Sequence, residues 1–395
     1  MPKFMHSFPP EAQSQVTLAN WRMAPFNKWG FHHVREIVPS ADIPPAPDHT
    51  AELQSELIDL NSIKIDDSAG SSLPFNAFLP HSHTDGLVIL HRGNIVFEHY
   101  TNGMTAHTPH ILMSVSKSML GLLAGALVGR GELDPERLVT DIIPEVAGTA
   151  YDGATIQHLL DMRVGIDFDE DYLATSGPII AYRKSTNWNP LEPGEVPSDL
   201  RSFFGQLTQK SGPHGGPINY VSPNCDLLGW IMERASGRRY CDLMSELLWQ
   251  PLGAAHSAYI TVDRLGAPRC AGGMCTTTRD LARVGQMIVR GGDGIIPENW
   301  LNDLAQNGDP DAWKNGNMAQ DFPELDVRYR NQWYAQQEAS PLLFGFGIHG
   351  QYLIVDRRNE IVIAKFSSQP IPIDVYQIML TMRAVAQVVS YLTDR

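Results

Sequence analysis

The 395-residue chain has only four cysteines, Cys225, Cys241, Cys270 and Cys275, which do not make the disulfide framework of a small secreted domain. Cys270 and Cys275 also lack the C-x-x-C spacing of a zinc ribbon. Basic residues are scarce, with 30 Lys and Arg against 44 Asp and Glu, for a formal net charge of −14. That balance argues against nucleic acid or anionic membrane as a partner, because both are bound through clustered Lys and Arg. Long apolar runs are missing as well. The longest, Met119 to Gly129, falls short of the ~20 residues that span a bilayer. Met1 to Gln13 has no apolar stretch or small-residue cleavage site of a secretory leader. A cytoplasmic location is the expectation. What is present is 43% hydrophobic and 19% charged residues, the composition of a globular protein with one large domain or two intimately joined ones.

Residues 1–52 are rich in Pro, Ala and His, include Pro44-Pro45-Ala46-Pro47, and read as an irregular arm wrapping the domain. Leu87–Leu90 and Ile95–Phe97 flank Arg92-Gly93-Asn94, predicting a strand, a tight turn and a strand. Apolar spacing predicts a helix from Ser114 to Arg130, mainly helical structure over 135–280, and a helix from Thr278 to Arg290 entered through a cap at Thr277. Strands are predicted again at Arg328–Tyr334, Leu343–Ile348, Tyr352–Val355 and Ile361–Phe366. A last helix, Asp374 to Asp394, carries the stripe Val375, Ile378, Met379, Met382, Val385, Ala386, Val389 and Leu392. The economical fold is α/β (α+β). An antiparallel sheet from N- and C-terminal strands, flanked by helices, would occupy 53–134 and 281–395, with a mainly helical region, 135–280, inserted.

Ser114-Val115-Ser116-Lys117 opens the first long helix. A Ser and a Lys three residues apart on a helix share a face, with Cβ atoms about 5–6 Å apart. A helix N-terminus and dry surroundings both depress a lysine pKa, so a neutral amine can take the serine proton without histidine. Such a pair also needs a group that passes protons to the leaving group, and an oxyanion hole. Tyr220-Val221-Ser222-Pro223-Asn224 supplies the phenol, after a strand-like Ile218-Asn219-Tyr220 and seven residues before Leu227-Leu228-Gly229.

In these elements the chain resembles the serine β-lactamase and penicillin-recognising superfamily, class C type, which uses S-x-x-K, Y-x-N and K-T-G elements in that order. The position of the family's Asn falls on Ser222, with Asn224 the nearest substitute. In Gly345-Phe346-Gly347-Ile348-His349-Gly350-Gln351, Gly345 takes the Lys position and Gly347 the Gly position. The resemblance then implies an oxyanion hole from the backbone N–H groups of Ser114 and Ile348. His349 rivals this register as a lysine surrogate. Loss of the lysine that holds a substrate carboxylate argues against β-lactams and peptidoglycan.

Within the superfamily the chain is most similar to the 6-aminohexanoate-dimer hydrolases and neighbouring carboxylesterases. The similarity is carried by Asn27-Lys28-Trp29-Gly30-Phe31, Met113 to Ser118, Glu170-Asp171-Tyr172, Tyr220-x-Ser222, Asp280 to Gly285, and Gly347 to Gln351. It implies a serine β-lactamase-like fold, acylation of Ser114, proton relay by Lys117 and Tyr220, contact of Tyr172 with the scissile amide, and a pocket lined by Trp188. The stretch from Tyr172 to Trp188 carries Arg183 and Lys184 but no acid between them and either end. Two cations there would disfavour the ammonium of a 6-aminohexanoate dimer, so Arg183→Asp is expected to improve dimer hydrolysis.

The expected activity is therefore cleavage of linear amides and short-chain esters through an acyl-enzyme, on a small-molecule substrate, without cofactor or metal. Carboxylesterase activity alone, or β-lactamase-like or D-peptidase activity, are the alternatives. A metal-dependent hydrolase using His81, His83 and Asp85 is disfavoured, because Gly86 stands where the closing His of H-x-H-x-D-H would be. A homodimer is compatible with the sequence, which does not decide the oligomeric state.

Overall fold

Strand sequences near the two ends of the chain zip into a single antiparallel sheet. The computed structural model describes residues 4–66, 70–319, 322, 325–338 and 341–395. Parts of the expected segments 1–52, 53–134 and 281–395 lie outside the described residues. Seven strands follow the spatial order Asn94–Tyr100, Thr84–His91, Ile361–Ser367, Gln351–Asp356, Leu343–Gly347, Trp333–Gln336 and Val327–Arg330. The seam between the two ends is the pairing of Thr84–His91 with Ile361–Ser367, in which Val88 faces Ala364 and Ile89 faces Ile363.

Both faces of the sheet are covered, so its central strands are buried on every residue rather than alternately. Leu87, Ile89, Ile354 and Ile363 meet Thr381, Val385 and Val388 of the C-terminal helix Val375–Thr393 across one small apolar cavity. On the opposite face, helix Thr278–Val289 comes so near that a Cβ on Gly285 would lie 2.3 Å from Val362 Cγ1. Thr277 caps that helix as expected, its hydroxyl accepting from Asp280 N at 3.1 Å.

Three local expectations need correction. The segment read as one strand, 328–334, is a hairpin, because Asn331 and Gln332 turn at φ +48 and +71, the left-handed pair a two-residue hairpin demands. The buried face of the last helix is rotated from the expected stripe: Leu380, Ala384 and Val388 turn in, while Val375 and Ala386 turn out. The arm is not wholly irregular either. Ser40–Ile43 forms the edge of a second sheet, ordered Ser40–Ile43, Ala258–Thr261, Met274–Thr276 and His110–Ile111.

That second sheet delivers the chain to Ser114. Between the two runs of main-sheet strands the chain is helical in pieces from Val139 to Trp249, then adds Ala258–Thr261 and Met274–Thr276. Helix Val115–Gly129 is buried almost throughout, and the indoles of Trp300 and Trp333 donate to its Gly121 and Ser118 carbonyls, each at 3.0 Å. Among the described residues no helix is long and apolar enough to cross a membrane.

Candidate active site

Ser114 stands at the join between the second sheet and the buried helix. Leu112 N donates to Met274 O at 2.8 Å, and Met113 then takes φ +45, a left-handed conformation that costs a non-glycine residue about 1–3 kcal/mol. This kink sets Ser114 at the N-cap of Val115–Gly129, where the helix dipole favours developing negative charge.

Lys117 lies one turn along, 1% exposed. Its Nζ sits 2.9 Å from Ser114 Oγ, 3.1 Å from Ser222 Oγ and 2.8 Å from the Ala271 carbonyl. Burial pushes the amine below the ordinary lysine range; Arg269 adds to the shift, and Cys225, Glu170 and Asp226 oppose it. The contacts have a direction. A carbonyl only accepts, and Ser222 already gives both its hydroxyl and its N–H to the Glu170 carboxylate. Once Lys117 gives up a proton, the Ser114 hydroxyl is therefore the one of the three contacts free to donate into its lone pair.

The Ala271 carbonyl is aimed from below. Ala271 N donates to Asp226 Oδ1 at 2.8 Å, and Asp226 forms a buried ion pair with Arg269 at 2.6 Å and accepts from Tyr182 OH at 2.5 Å. Backbone acceptors of this kind carry no sequence signal.

Tyr220 places its ring 5.0 Å from Lys117 Nζ, with Tyr329 and Tyr334 at ring separations of 5.9 and 6.4 Å. Its backbone is pinned by Asn317, which accepts from Tyr220 N at 2.8 Å and donates to its carbonyl at 3.3 Å. Burial, first, and the surrounding phenols hold Tyr220 well above the ordinary tyrosine range, while Ser114 as a hydrogen-bonding partner acts the other way. The phenol is thus protonated at neutral pH. Of the two candidates for the family's Asn, the structure brings Ser222 to Lys117; Asn224 is fully buried, and among the described residues neither of its amide atoms has a hydrogen-bond partner.

The end of strand Leu343–Gly347 closes the other side of Ser114. A Cβ on Gly347 would lie 2.7 Å from Leu112 O and 3.0 Å from Ser114 N, so only glycine lets the strand approach this closely. Among the described residues, neither the Ser114 nor the Ile348 amide donates to a protein acceptor.

In front of Tyr220 opens a cavity of about 340 Å³, walled by Asp169, Glu170, Asp171, Tyr172, Tyr220 and Ile371 among others. Tyr172 is brought into this wall, and Glu170 beside it raises its phenol pKa further after burial. Arg183 is placed differently from the expectation: it is 7% exposed, and its guanidinium donates to the Tyr172 carbonyl at 3.1 Å. Lys184 is paired at 2.6 Å with Glu195, which lies outside the Tyr172 to Trp188 stretch. The free cations expected on this loop are thus a loop brace and a salt bridge, and the charge facing the cavity is acidic.

His349 does not replace the missing lysine. It is 3% exposed, its Nδ1 lies 2.6 Å from Gln369 O, and burial pushes its pKa down to about 4, leaving it neutral. Trp188 is buried, donates from Nε1 to Thr261 Oγ1 at 3.1 Å and packs edge-on against Trp21; its ring lies 5.0 Å from the Arg269 guanidinium and close to Gly272 beside Ala271. His81, His83 and Asp85 do not converge: His81 Nε2 meets Tyr376 OH at 3.3 Å, whereas Asp85 meets Ser368 at 3.2 Å and Asn102 at 3.3 Å.

Residues 80–386 match the Beta-lactamase family. The 6-aminohexanoate-dimer hydrolase of Paenarthrobacter ureafaciens is 34% identical over 369 residues, 92% of this chain and 91% of that one. Esterase EstB of Burkholderia gladioli is 26% identical over 156 residues, 38% of each chain. A solved structure from Bacillus anthracis, provisionally named a 6-aminohexanoate-dimer hydrolase, is similar with a TM-score of 0.86 and 24% identity, covering 96% of this chain and 97% of its own. By sequence and by fold alike, the chain belongs to the beta-lactamase family, with a serine-hydrolase fold.

Proposed function

We propose that the chain hydrolyses linear amides and short-chain esters through an acyl-enzyme on Ser114. The observation that carries this reading is the directed set of contacts at Lys117, which leaves the Ser114 hydroxyl to donate into its lone pair. In the first step Lys117 takes the Ser114 proton as Oγ attacks the substrate carbonyl. The developing oxyanion is held by the Ser114 and Ile348 amides, unengaged among the described residues, a contribution worth about 3–4 kcal/mol per donor in a comparable hydrolase. Tyr220, protonated and facing Lys117, passes a proton to the leaving nitrogen or oxygen, and Lys117 restores it. Water then cleaves the acyl-enzyme by the same relay. Tyr172 is a second phenol at the cavity wall, suited to holding an amide leaving group.

The names of the relatives support both amide and ester substrates. The acidic wall of Asp169, Glu170 and Asp171 supports a linear substrate whose amine end is neutral or cationic, against the preference expected from Arg183 and Lys184. Turnover of the 6-aminohexanoate dimer and of p-nitrophenyl butyrate tests the reading. Hydrolysis of either, with a trapped acyl adduct, supports it; hydrolysis of neither overturns it.

A further inference from the structure

Glu170 does more than line the cavity. Its carboxylate takes both the N–H and the hydroxyl of Ser222, and that hydroxyl oxygen in turn accepts from Lys117 Nζ at 3.1 Å. A hydroxyl has one proton to give. While Glu170 holds it, Ser222 can only accept from Lys117.

We infer that Glu170 is a positioning residue which, by consuming the Ser222 proton, fixes the direction of the hydrogen bonds at Lys117 and so reserves the lysine lone pair for Ser114. Without the carboxylate, the Ser222 hydroxyl becomes free to donate to the amine, competing with the nucleophile for the same lone pair. The same carboxylate lies beside the Tyr172 phenol, so one group joins the buried base to the cavity wall. This inference rests on Lys117 acting as the base.

Charge gives it a second signature. Lys117 is faced by Cys225, Glu170, Arg269 and Asp226, with the Tyr220 ring over Nζ. Glu170 is itself faced by Tyr172, Tyr182, Arg183 and Arg269. Among these, Glu170 is an anion that raises the Lys117 pKa and lies on the open side, so its removal should let the amine titrate lower.

The test compares wild type, Glu170→Ala, Ser222→Ala and the double variant, following kcat on p-nitrophenyl butyrate across pH. Glu170→Ala should lower kcat about tenfold and move the acid limb to lower pH, and adding Ser222→Ala should recover several-fold of the loss, since the competing donor is then gone. A structural role alone predicts an unmoved limb and a double variant at least as impaired as Glu170→Ala; that result overturns the inference. Covalent labelling of Ser114 in the wild type, measured alongside, separates this outcome from failure of the acyl-enzyme reading itself.

Discussion

Gly345 lies flat against Ser118 of the buried helix. A Cβ at Gly345 would come within 2.6 Å of Ser118 Oγ and 3.1 Å of its Cβ. Ser118 is not free to yield, because its hydroxyl donates to the Gln332 carbonyl and its own carbonyl accepts from the Trp333 indole, both at 3.0 Å. The position that the family resemblance aligns with a carboxylate-binding lysine is thus closed to any side chain. Even Gly345→Ala is expected to lower stability by about 1–3 kcal/mol, the range for overpacking, in urea unfolding. An unchanged midpoint would contradict this packing.

Lys117→Arg keeps a cation and most of the reach but installs a group that does not deprotonate. Ester turnover should fall by roughly 10²–10⁴-fold, the scale of general-base catalysis. In the wild type, kcat/KM should rise with pH as Lys117 loses its proton, with a midpoint below the ~10.4 of a free lysine, since burial lowers it. A variant as active as the wild type would remove Lys117 from the mechanism.

Charge counting along the sequence leads to the expectation that Arg183→Asp helps a cationic dimer. The folded chain reverses the sign. The substitution removes the donor to the Tyr172 carbonyl and sets a carboxylate against Glu170 and Asp171, so their repulsion loosens the loop that carries Tyr172. Dimer kcat/KM should drop at least tenfold; an increase would restore the charge-counting view.

Acid stability should depend on two buried imidazoles. Burial pushes His349 down to about 4 and His32 to about 3, whereas an unfolded histidine titrates near 6.5. Between those values the unfolded chain binds more protons, so the stability is fully present above about pH 6.5 and is lost as pH falls toward 4. Urea unfolding at pH 7 and pH 4.5 should show His349→Gln losing about 2 kcal/mol less than the wild type over that interval. Equal losses would mean His349 is not held neutral.

The parts of this site that were legible in the sequence are those written in local spacing. Ser114 and Lys117 share a helix face, Tyr220 precedes a recognisable helix, and the edge hairpin is marked by Arg92-Gly93-Asn94. The hairpin at Asn331-Gln332 was hidden because its turn contains no glycine and its neighbours read as one β-rich run. Ser40–Ile43 is a strand only because Ala258–Thr261 lies beside it, a pairing across more than 200 residues that local composition does not encode. Arg183, Trp188 and His349 are buried, which residue type and position along the chain do not report. Glu170 was visible only as part of a family signature; its grip on Ser222 is a tertiary fact.

The central claim is that Ser114 is the nucleophile, and mass spectrometry after reaction with a fluorophosphonate tests it most directly. The account predicts one adduct, on the peptide carrying Ser114, with ester turnover lost in step, and neither adduct nor turnover in Ser114→Ala. Labelling elsewhere, or turnover that survives Ser114→Ala, would contradict it.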